Sequence, residues 1–156
     1  MNQKPISAKS VPLPEVNSLY PEPFASLMEG REKRKLGDHF GLSNFGINQT
    51  TLAPGAISAL SHHHSKQDEF IYILEGAATL LHGEDEHLLS PGDCMGFKAG
   101  SGVATQLVNR SSGPVVYLEL GDRTAGDEVD YPNDDLKAVQ QMDGVWKFSH
   151  KDGRPY

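Results

Sequence analysis

The chain has 156 residues, 37% of them hydrophobic, and a formal net charge of −7. That length suits one domain with a real core, and that charge repels phosphate backbones, which argues against nucleic acid as a partner. No run resembles a transmembrane span or the apolar stretch of a signal peptide, and Cys94 is the only cysteine, so no internal disulfide forms; a cytoplasmic protein without a membrane partner is expected.

Residues 1–37 read as a polar extension punctuated by Pro5, Pro12, Pro14, Pro21 and Pro23, each unfavourable to regular structure nearby. Within it a short helix is predicted over 23–36, ending near Gly37, with Arg31, Lys33, Arg34 and Lys35 as its solvated face. Residues 38–122 change character. The runs FGINQTTL, AISALSHHH, EFIYILEG, AATLLHG, EHLL, CMGFKAG, VATQLVNR and PVVYLEL recur between glycine, proline or charged turns. Eight or so short strands at that spacing predict an all-β antiparallel sandwich or barrel. Cys94, beside Met95 and Phe97, reads as buried filler. Residues 123–156 form a C-terminal extension packing on the barrel, acidic at Asp127, Glu128 and Asp130. One helical turn is expected in YPNDDLKAV, then a strand in VWKFSHKDG that turns at Asp152–Gly153, with Trp146 and Phe148 sharing a packing face.

The chemistry concentrates in Gly55–Gly76, GAISALSHHHSKQDEFIYILEG. Strand alternation puts His62 and His64 on one face and turns His63 away. Glu69 follows after four residues, SKQD, enough for a tight turn into an antiparallel partner strand that returns its carboxylate beside the imidazoles. Two neutral nitrogens and one anionic oxygen suit Fe(II), Mn(II), Ni(II) or Zn(II) and leave coordination positions open. Ile71 and Ile73 share the Glu69 face, so with Leu107 they give the pocket apolar walls, while Phe70 and Tyr72 face outward. No arginine or lysine falls on the ligand-bearing faces to hold a phosphate. His39, His82, His87 and His150 lack the framing of the first cluster and read as surface or turn residues.

Gly55, His62, His64, Glu69 and Gly76 resemble the first motif of the cupin superfamily, with one extra residue between Gly55 and His62. Pro91, Gly92, Asp93 and Asn109 resemble its second motif, and the similarity spans residues 38–122. The YPNDDLK and KDGRPY segments are similar to a group of bacterial cupins loosely labelled sugar-phosphate-isomerase-like. This resemblance implies a double-stranded β-helix, or jelly-roll barrel, with His62, His64 and Glu69 as ligands of a divalent metal, and a homodimer. It also exposes a departure. Thr105 stands where the second motif supplies a fourth ligand, a histidine. Its hydroxyl is a weak ligand, expected to hold a water or substrate, with Asn109 on the same strand face as a substrate contact or a turn fastener.

Two functions remain open at this point. One is a metal-dependent enzyme of isomerase, epimerase or dioxygenase type acting on a small organic molecule, although no base is evident. The other is a non-catalytic cupin that binds a small ligand with weakened or lost metal.

Overall fold

The computed structural model describes residues 4–156. Its first regular strand arises where the sequence predicts helix. Ala25–Met28 is a single 3-10 turn, and Arg31–Lys35 is strand β1. Gly30, at φ 78°, separates the two, and a β-carbon there would press on those of Ala53 and Ala56, at 3.3 and 3.1 Å. The helix over 23–36 fails because the apolar positions Phe24, Leu27 and Met28 end at Gly30, and no apolar stripe continues through Arg31–Lys35. Alternation decides instead: Arg31 is buried while Glu32 is exposed, and all five β1 residues pair with β2 (Phe45–Leu52), from Arg31 opposite Leu52 to Lys35 opposite Asn48. The basic cluster is therefore not a helical face. The extension contributes an edge strand to the barrel, and a four-residue helix α1, Leu36–His39, links β1 toward β2.

The strands β3 His63–His64, β4 Glu69–Glu75, β5 Ala78–His82, β6 Asp85–Leu89, β7 Cys94–Phe97, β8 Thr105–Val108, β9 Val115–Asp122 and β12 Trp146–Ser149 fall in the predicted runs, whereas β10 Glu128–Asp130 and β11 Lys137–Gln140 are not expected from the sequence. All pairings are antiparallel. One sheet has the order β1-β2-β9-β4-β7. Facing it are β6-β5-β8 and β12-β11-β10-β3, joined by backbone bridges from Ile57 to Val108 and from His62 to Thr105. This is the jelly-roll barrel, closed by pairing strands distant in sequence. The expected helical turn in YPNDDLKAV is replaced by a turn at 132–135 leading into β11, since β11 pairs on both sides, with β10 and β12.

Two cores hold the barrel. Between the sheets lie Leu52, Ile71, Ile73, Leu80, Leu107, Val115 and Tyr117. At one end, Phe24 and Met28 of the extension pack with Leu60, Val129, Tyr131 and Leu136, and Trp146 and Phe148 join them as expected. Cys94, by contrast, is exposed. On edge strand β7 the inward positions are Met95 and Phe97, which pack on the core, so alternation turns the thiol outward. Gly76 fixes the turn from β4 to β5. At φ 79°, a β-carbon there would meet the Pro114 carbonyl oxygen at 2.3 Å.

Candidate metal centre

His62, His64 and Glu69 converge, but by a different route from the hairpin the sequence suggests. β3 pairs with β10, not with β4, and β4 runs in the opposite sheet between β9 and β7. The SKQD segment therefore carries the chain across the barrel from one sheet to the other. Its shape is set by a residue remote in sequence. Asp127 is fully buried, and its Oδ1 accepts from the Ser65 hydroxyl at 3.0 Å and the Lys66 amide at 2.7 Å, with the Gln67 amide at 3.4 Å. The carboxylate wraps the turn around itself, and the turn delivers Glu69.

The other oxygen of Asp127 acts on the site directly. Oδ2 lies 2.5 Å from His64 Nδ1, and the Leu60 carbonyl lies 2.7 Å from His62 Nδ1. Both partners are acceptors, so each Nδ1 carries the hydrogen and each Nε2 presents a lone pair. Those two Nε2 atoms lie 3.7 Å (His62) and 3.6 Å (His64) from the oxygens of Glu69, and one ligand atom from each of the three residues lies within 4.8 Å of the others. Atoms each about 2.1 Å from a common ion are separated by at most about 4.2 Å, so the set fits a divalent metal with little adjustment. Burial lowers the His62 pKa; Glu69 opposes this and His64 adds to it, leaving the imidazole neutral and ready to ligate. Tyr131 stacks on His62 with ring centroids 5.8 Å apart, and Trp146 meets His64 edge-on at 6.4 Å, so both rings are held in place.

The ligands stand in a cavity of about 860 Å³ that is polar as well as apolar. Ile71 and Leu107 line it, as expected. Ile73 does not: it is fully buried in the core. Asn109 is a turn fastener rather than a substrate contact. Its amide nitrogen donates to the carbonyls of Leu52 and Gly113, and its oxygen accepts from the Ser111 amide and hydroxyl. Thr105 exchanges backbone hydrogen bonds with His62 and is 6% exposed, below the cavity wall rather than on it.

The view that no cation faces the site is overturned. Arg31 and Lys33 of β1 both line the cavity, because the segment is a strand whose alternate residues point inward. Arg31 is 7% exposed and donates to the carbonyls of Ser58 and Asn17, which ties residues 14–20 over the cavity as part of its wall. Lys33 Nζ lies 2.5 Å from Glu119, on β9. Sequence reasoning missed Glu119, Tyr117 and Asp127 as well. The inward alternation of β9 was a usable signal for Tyr117 and Glu119; Asp127 offered none beyond an acidic loop.

The cupin domain family model matches residues 48–121. A crystal structure described as a sugar phosphate isomerase from a cupin superfamily, from Silicibacter pomeroyi, is 38% identical over 98% of this chain and 96% of its own, with a TM-score of 0.90. A putative sugar phosphate isomerase from Acidithiobacillus ferrooxidans is 31% identical over 81% of this chain and 80% of its own, at 0.72. The polyketide cyclase RemF from Streptomyces resistomycificus, 18% identical over 78% of this chain and 80% of its own, shares the fold at 0.62. A search of the curated proteins finds no match. With the barrel, the two histidines and Glu69 in place, and full-length similarity to a cupin at 38% identity, the chain belongs to the cupin superfamily, as a type-2 cupin.

Proposed function

We propose that this cupin is a divalent-metal-dependent enzyme of the isomerase type, acting on a small, anionic hydroxycarbonyl compound inside the barrel. The observation that carries the reading is the locking of both imidazole tautomers, by the Leu60 carbonyl and the buried Asp127, so that two lone pairs and the Glu69 carboxylate meet. A structural histidine does not require that arrangement. A metal held there supplies Lewis-acid polarisation of a substrate oxygen. Arg31 and Lys33 give the cavity wall positive charge suited to an acidic substituent, and two similar proteins are described as sugar phosphate isomerases, one of them as putative.

A second reading, a non-catalytic cupin that holds a small ligand, is favoured by Thr105, which leaves the set at three ligands. Metal analysis of tag-free protein tests the first claim. One equivalent of Mn, Fe, Ni or Zn is expected, lost in folded His62→Ala and Glu69→Ala variants and released at acidic pH, where protons compete with the ion for the ligand atoms. Wild-type protein that stays metal-free when offered all four ions refutes it. Metal-loaded protein that binds phosphorylated ketoses without converting them selects the second reading.

A further inference from the structure

The proposed isomerisation needs a group that moves a proton between neighbouring carbons, and the three ligand residues are occupied with the metal. Glu119 stands one step away on the cavity wall. In the β4–β9 register, Glu69 lies opposite Gly121 and Ile71 opposite Glu119. Gly121 and Glu119 thus share a strand face, about 6.7 Å apart along β9. Glu69 and Glu119 both line the one cavity, so a single small molecule there can face both.

The two oxygens of Glu119 are not equivalent. Oε1 is held firmly, by the Asn48 amide at 2.9 Å from the directly opposite position on β2 and by Lys33 Nζ at 2.5 Å. Oε2 has only the Tyr117 hydroxyl at 3.2 Å and the Thr50 hydroxyl at 3.4 Å. Hydroxyl-to-carboxylate bonds normally lie near 2.5–2.7 Å, so Oε2 is poorly satisfied and free to take a proton. Glu119 and Lys33 are each 24% exposed and line the cavity, whereas Tyr117 and Thr50 beside them are buried.

We propose that Glu119 is the proton-transfer residue of this cupin and that Lys33 is its positioning partner and a donor to the substrate. The inference rests on the isomerase reading. Glu119 Oε2 takes the hydrogen from the carbon next to the carbonyl as a proton. The C–H electrons form a C=C bond, and the carbonyl π electrons move onto the carbonyl oxygen. Glu119 then delivers a proton, the abstracted one or a solvent proton exchanged for it, to the former carbonyl carbon, while the neighbouring hydroxyl passes its proton to the former carbonyl oxygen and becomes the new carbonyl. Nothing is oxidised or reduced overall. During the step negative charge leaves the carboxylate and appears on the substrate oxygen, and the Lys33 ammonium, with hydrogens beyond the one directed at Glu119, attracts it in both places. Burial opposes ionisation of Glu119, but Lys33 and Asn48 outweigh it and hold its pKa below the usual glutamate value, so the base is ready at neutral pH.

The test is exchange of the C–H proton of phosphorylated ketoses of three, five and six carbons in D2O, followed by proton NMR, with Mn(II)-loaded protein. Glu119→Gln is expected to bind one Mn(II) as wild type does, to keep KM for the probe, and to lose exchange by about 100- to 10,000-fold. A loss confined to kcat, with KM and Mn(II) stoichiometry kept, is a split that a merely structural role would not produce. Exchange within threefold of wild type in folded Glu119→Gln overturns the inference and leaves the isomerase reading standing. Neither exchange nor interconversion of any probe by wild type removes that reading and the inference together. Should Glu119→Gln not fold, Glu119→Asp decides: a carboxylate drawn back by one methylene must exchange more slowly with Mn(II) binding and KM retained, and an unchanged rate overturns the proposal.

Discussion

Replacing Asp127 by asparagine alters the metal centre without touching a ligand, and its outcome follows from hydrogen-bond polarity. Oδ1 of Asp127 accepts from Ser65, Lys66 and, more distantly, Gln67, so an asparagine must keep its carbonyl oxygen on that side. The amide nitrogen then points at His64 Nδ1, where Asp127 places an acceptor 2.5 Å away. A donor there forces the hydrogen of His64 onto Nε2, directed at Glu69 and the metal position. Disturbing the partner of a ligating histidine typically costs 10- to 100-fold in metal affinity, or about 1.4–2.8 kcal/mol, and the inverted tautomer places Asp127→Asn at the upper end. Folding loses one charge-assisted hydrogen bond, about 1.5–3 kcal/mol, and at 2–4 °C per kcal/mol Tm should fall by roughly 3–12 °C. Competition titration of Zn(II) or Mn(II) against a chromophoric chelator, with thermal unfolding of the apo-protein in parallel, measures both. Wild-type affinity within twofold in a folded Asp127→Asn protein would show that the tautomer of His64 does not control the site.

Two further predictions concern the barrel itself. Gly76→Ala combines a left-handed backbone with a 2.3 Å approach to the Pro114 carbonyl, so urea unfolding should show a loss of at least about 2 kcal/mol; an unchanged midpoint refutes the turn's steric account. Burial works against the Glu119 charge, but Lys33 and Asn48 prevail and lower its pKa, so its contribution to stability is complete above the unfolded value of about 4.3 and drains away as pH falls through the lower folded value. In Lys33→Met burial dominates, the folded pKa rises, and the slope contributed by Glu119 reverses over that acidic range; urea midpoints from pH 3 to 7 that run parallel for the two proteins contradict this.

How far the sequence revealed the molecule depends on whether a feature is local. His62, His64 and Glu69 were legible because a period of two and a short connection bring them together whichever strands pair, and so the wrong pairing partner for β4 did no harm. Ile71 and Ile73 share a face by the same rule, yet only Ile71 reaches the cavity: the barrel's depth, not the face, decides which residue is seen from inside. The error over Arg31–Lys35 had the opposite cause. Four cations among five residues carry no apolar period, so nothing local separates a solvated helix from a strand with buried charges; β2 settles it by offering all five residues a backbone partner.

That error hid the polar half of the site. Once β1 is a strand, Lys33 and Arg31 face inward, and a buried carboxylate on β9 gains a partner for its charge. An unpaired Glu119 on that wall would be costly to ionise, and an unpaired Lys33 equally so; together they keep a charged, hydrogen-bonded pair in the cavity that the candidate ligands also line. Asp127 does the same for His64 from the other side. Each of these supports sits more than 55 residues from the group it serves, so no motif within Gly55–Gly76 records it. The ligand triad says where a metal fits. Leu60, within that segment, sets the lone pair of His62, while the distant Asp127 sets that of His64, and Lys33 and Glu119 set the charge of the cavity beside them.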